Sequence, residues 1–128
     1  MDKINSALPL CFLAALLSFS PGLAAQDSDA VKEKLKAAKE AFEAKDYKGG
    51  LKLATEAYQN ATDGMDQPGS LQAEGLLLIA NCYAAQGDFS TAALTFKILN
   101  LKSKNPVDKA VGREGERLMN LVAALKKE

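Results

Sequence analysis

Apolar residues recur along this chain at steps of three and four, the period of an amphipathic helix, in five successive stretches. Val31, Leu35, Ala38 and Phe42 form the first stripe, behind the capping oxygens of Asp27, Ser28 and Asp29, and the helix is expected to stop near Lys45 and Asp46. Tyr47, Leu51, Ala54, Tyr58 and Ala61 begin a second stripe at once, and so short a link makes the two helices antiparallel neighbours. Residues 63–69 combine glycines, a proline and aspartates and read as a loop of its own. Ser70 caps a third helix in which Leu71, Leu76, Leu77, Leu78, Ile79, Ala80, Cys82 and Tyr83 leave little polar face, so it is predicted to be central. A tight turn at residues 86–88 leads to a fourth helix carrying Phe89, Ala92, Ala93, Phe96 and Leu99. Asn105, Pro106 and Asp108 start a fifth, predicted to run to about Lys126 with Val107, Val111, Leu118, Val122 and Leu125 on one face. Gly112 and Gly115 mark a bend in it, a close approach to a neighbour, or simple weakness.

Upstream of these stripes, residues 7–19 carry no charge, follow Lys3 and the amino terminus, and precede Pro21 and Gly22. That is the three-part form of a secretory signal. The run is shorter than the roughly 18 to 20 residues that span a bilayer, and Leu23, Ala24 and Ala25 offer a cleavage site before Gln26. The chain therefore reads as a cleaved signal peptide over residues 1–25 and one helical domain over 26–128, exported to the periplasm. Secretion, or an uncleaved N-terminal anchor suggested by Asp2 in the n-region, is the alternative. Cys11 lacks the small preceding residue that a lipid-attachment site would carry.

Residues 38–58 overlay residues 80–100 without a gap: Ala38 falls on Ala80, Lys45 on Gly87, Asp46 on Asp88, Tyr47 on Phe89 and Ala57 on Leu99. Repetition of a helical hairpin is the mark of an α-solenoid. The string Ala80-x-x-Tyr83-x-x-x-Gly87-Asp88-Phe89-x-x-Ala92-x-x-x-Phe96 resembles a tetratricopeptide repeat (TPR). The likeness is good over residues 73–106 and fainter over 31–62, where Ala41 replaces the tyrosine, Lys45 the turn glycine and Gly50 the packing alanine. The copies lie further apart than the family's usual ~34 residues, the surplus falling at 63–69 and its flanks. Pro106 comes two residues late, and Glu114 and Arg117 stand at the small and aromatic positions of the fifth helix. The resemblance implies an all-α, right-handed solenoid with repeats over about 31–62 and 73–106 and a terminal solvating helix over 106–126. An ordinary helical bundle is the rival reading.

Charge and chemistry narrow the function. Sixteen basic and sixteen acidic residues cancel, so the chain lacks the footprint of a nucleic-acid binder. It has no histidine, which removes the commonest general base and metal ligand. Loss of Cys11 with the signal leaves Cys82 alone, expected to be an inert core thiol because no cationic side chain lies within a helical turn of it. Glu40 with Glu43, and Glu114 with Glu116, read as solvated helix charges, and Asp63 with Asp66 are too few for a calcium shell. Residues 60–62 match a glycosylation sequon, which matters only in a eukaryotic host. No catalytic residue, metal site or cofactor is expected.

In proteins of the TPR family the first helix of each hairpin lines a groove. The overlay puts Lys32, Lys36, Lys39 and Phe42 there from the first repeat, and Leu77, Leu78, Asn81 and Ala85 from the second. Lysines would meet the carboxylates of an acidic peptide or protein, the leucines its side chains and Asn81 its backbone. A merely solvated lysine face is the alternative. The expected function is an exported protein–protein interaction module, an adaptor in a cell-envelope assembly. A self-associating structural subunit is the second reading, and an enzyme the third.

Overall fold

A computed structural model describes residues 28–127. The expected signal peptide, with its expected cleavage site, and Cys11 therefore lie outside the described residues. Within them the chain is all-α: α1 (Ser28–Glu43), α2 (Tyr47–Asn60), α3 (Leu71–Ala85), α4 (Phe89–Lys102) and α5 (Pro106–Lys127). No helix among these residues is long and apolar enough to cross a membrane.

The overlay, at an offset of 42 residues, is reproduced in the backbone. Both second helices are 14 residues long and begin 42 apart, at Tyr47 and Phe89. Lys45 and Gly87 both have positive φ, 65° and 85°, and each closes the preceding helix with the same pair of bonds. The Lys45 and Gly87 amides donate to the carbonyls three residues back, at 2.9 and 3.0 Å, and the Asp46 and Asp88 amides to those five back, at 2.8 and 2.9 Å. Asp46 (φ −88°, ψ 75°) and Asp88 (φ −91°, ψ 73°) then cap the next helix, their carboxylates accepting from the Gly49 and Thr91 amides. Lysine in place of the turn glycine has not changed the turn; it holds a strained backbone conformation instead.

Packing follows chain order. Each helix lies against the next, and α1 also touches α3. Val31, Leu35 and Ala38 of α1, Ala54, Ala57 and Tyr58 of α2, Leu76, Ile79 and Tyr83 of α3 and Ala92 and Leu99 of α4 fill the core. With α1, α2 and α4 around it, α3 is the central helix that its apolar composition predicts. The hydroxyls of Thr55 and Thr95 donate to carbonyls one turn back, which satisfies them without water.

The loop at 63–69 does not stand alone. Met65 is buried, and its carbonyl accepts from the Lys104 amide at 2.9 Å and from Asn105 Nδ2 at 3.2 Å. The same Asn105 caps α5, its Oδ1 accepting from the Asp108 amide at 2.8 Å while its Nδ2 donates to Asp108 Oδ2 at 3.0 Å. One buried asparagine thus fastens the link between the hairpins to the start of the last helix. Composition marked the loop's polar residues correctly, but a single methionine decides where it is anchored.

The terminal helix covers α4 with an unexpected face. A β-carbon on Gly112 would lie 2.6 Å from the Phe96 carbonyl oxygen and the Asn100 nitrogen, and one on Gly115 would run into the Phe96 ring. The glycines therefore mark a close approach, and the large apolar side chains of α5, which could not fit at that distance, turn elsewhere. Val107, Val111, Leu118 and Leu125 do share one face, as their spacing requires, and that face is exposed, while Val122, expected with them, is half-buried.

Candidate interaction surface

The side of α1 away from its buried stripe carries Lys32, Lys36 and Lys39, all exposed. The corresponding side of α3 carries Glu74, Leu77, Asn81 and Ala85, of which Asn81 and Ala85 are exposed and Glu74 and Leu77 half-buried. Lys39 Nζ lies 2.6 Å from Glu74 Oε1, so the two faces adjoin and form one surface across the hairpins. Alpha-helical spacing makes each set a strip along its helix: 32, 36 and 39 on one, 74, 77, 81 and 85 on the other.

Three of the expected groove residues change role. Leu78 is buried and belongs to the core, because a helix packed on several sides keeps only a narrow strip outside. Phe42 is half-buried and sets its ring edge-on to Tyr47, with centroids 5.2 Å apart, so it fastens the α1–α2 turn. Lys39 is engaged by Glu74. What the surface presents is Lys32 and Lys36 on α1 and Leu77 and Asn81 on α3, with the Lys39–Glu74 salt bridge spanning the two strips. Glu74 was missed because nothing in the sequence couples a lysine to a carboxylate 35 residues away; only the stacking of α1 on α3 does.

A depression of about 70 Å³ lies between Ser28, Val31, Ala61, Thr62, Asp63 and Leu71. Asp63 there accepts from the Leu71 amide at 2.6 Å and the Gln72 amide at 3.3 Å, so its carboxylate is spent on the start of α3. Among the described residues no group of three His, Cys, Asp or Glu side chains could hold a metal ion. Cys82 is buried, and burial pushes its thiol up to about 11, which keeps it protonated and poorly nucleophilic at neutral pH. On α5 the Arg117 Nε donates to Glu114 Oε2 at 2.8 Å, and that hydrogen bond, with the charge of the guanidinium, holds the carboxyl below its usual range.

No protein-family model, curated protein or solved structure matches this chain.

Proposed function

We propose that this chain is an exported, TPR-like interaction module that binds a protein or peptide partner within a cell-envelope assembly. The supporting observation is the duplicated hairpin whose two first helices present adjoining strips, one with Lys32 and Lys36, the other with Leu77 and Asn81. An acidic segment laid along it meets two lysines held about one turn apart, an apolar side chain and an amide able to bond to backbone. Its length limits contact to a short segment, so affinity depends on avidity or on a neighbouring surface. The testing experiment is a pull-down from the native envelope with wild type beside Lys32→Glu/Lys36→Glu. A partner lost by the variant, with slower association and weaker salt dependence for that partner, supports the reading. Identical partner lists overturn it.

A further inference from the structure

Helix α5 is the one long helix with a single extensive packing neighbour, α4. Its exposed apolar residues are Val107 (53%), Val111 (39%), Leu118 (45%), Leu121 (51%) and Leu125 (62%), five of the seven large apolar side chains exposed among the described residues. The other two, Leu94 and Leu101, share a face of α4 two turns apart, with the exposed Lys97 between them. With exposed Glu114 included, the α5 positions run 107, 111, 114, 118, 121, 125, a strict alternation of four and three. That is the seam of a coiled coil, narrow and suited to one further helix. It lies about a quarter turn round α5 from the glycines that meet α4.

We propose that this seam is covered by the α5 helix of a second copy of the chain, antiparallel and related by a two-fold axis near residue 116. Three features favour that occupant. In an antiparallel pair the valines at one end face the leucines at the other, Val107 against Leu125 and Val111 against Leu121, so the layers have even volume. Glu114 then meets Leu118 of the other copy beside its Arg117, and the Glu114–Arg117 pair already formed within each helix completes itself across the axis as a four-membered cluster. A parallel pair would instead place two Glu114 carboxylates face to face in the seam. Successive helices of the fold are already antiparallel neighbours, so a second α5 takes the place that a next helix would occupy. A carboxylate in the middle of the stripe disfavours a lipid surface, where it would be driven into the acyl boundary. The seam is short, which sets the pairing at the small end of specific interfaces and makes it dependent on protein concentration.

The test is sedimentation equilibrium of the purified protein over a hundredfold concentration range, with circular dichroism as the check on folding. Wild type should pass from monomer to dimer, and Leu118→Lys and Leu121→Lys should each raise the dissociation constant at least tenfold with helicity unchanged. Glu114→Arg should also weaken pairing, and Glu114→Arg/Arg117→Glu should restore it, a rescue that only a self-complementary cluster gives. A wild type monomeric throughout the range, or a dimer indifferent to all four changes, overturns the proposal. So does a monomer that binds phosphatidylglycerol vesicles and loses them in the two lysine variants. These variants leave Lys32 and Lys36 untouched, so failure here is distinguishable from failure of the partner-binding surface.

Discussion

Cys82, Tyr58 and Tyr83 are held protonated by burial, the thiol at about 11 and the phenols at about 12, with the Asp88 and Cys82 charges adding to the shift at Tyr83. An acid whose pKa is raised by folding stabilises the native state fully below its ordinary pKa and loses that contribution as pH climbs to the raised value. Stability should therefore be flat through neutrality and fall from about pH 9 to 12. Urea midpoints at successive alkaline pH values check this, and Cys82→Ala should flatten the early part of the fall, between the thiol's 9.0 and about 11. A second residue-level test uses the paired turns. Gly87→Ala puts a β-carbon on a residue at φ 85° and should cost about 1 kcal/mol, whereas Lys45→Ala, where a β-carbon already sits at φ 65°, should change stability by only a few tenths. Equal losses at the two sites would mean that the turns are not energetic copies.

At the scale of elements, the closest contact is that of α5 with α4. Gly112→Ala gains about 1 kcal/mol of helix propensity but drives a methyl into the backbone at Phe96 and Asn100, which cannot yield as a side-chain tip would. A net loss of about 1–2 kcal/mol in chemical denaturation is expected; a gain would mean that α5 shifts freely on α4. The five helices, their order and both hairpin turns were legible in the sequence because capping residues and a three-and-four period are local signals. The orientation of α5 was not. Periodicity tells which side chains share a face, and Val107, Val111, Leu118 and Leu125 do, but which face meets the neighbour was decided by two missing β-carbons. The anchoring of Met65 was illegible for a related reason: its partners, Lys104 and Asn105, are brought to it by the stacking of two hairpins.

For the whole molecule, the surface was legible as a lysine strip and illegible as a balance of charge. Lys32 and Lys36 are exposed as their helical positions demand, Leu78 was claimed by the core, and Glu74 reached Lys39 through the tertiary fold. Glu74→Gln should release Lys39 and speed association with an acidic partner, measured as an on-rate that rises most at low salt. Its effect on stability should stay below about 1 kcal/mol, since both side chains of the pair remain partly solvated. The chain-order packing has a further consequence, in the time domain. A stack in which most helices rest on two neighbours opens from its ends, so amide hydrogens should exchange with solvent slowest in α3 and faster in α5, whose one extensive neighbour is α4. Deuterium uptake would rank the helices directly. In α5 that uptake should also slow as protein concentration rises, because a paired helix must part before it can fray.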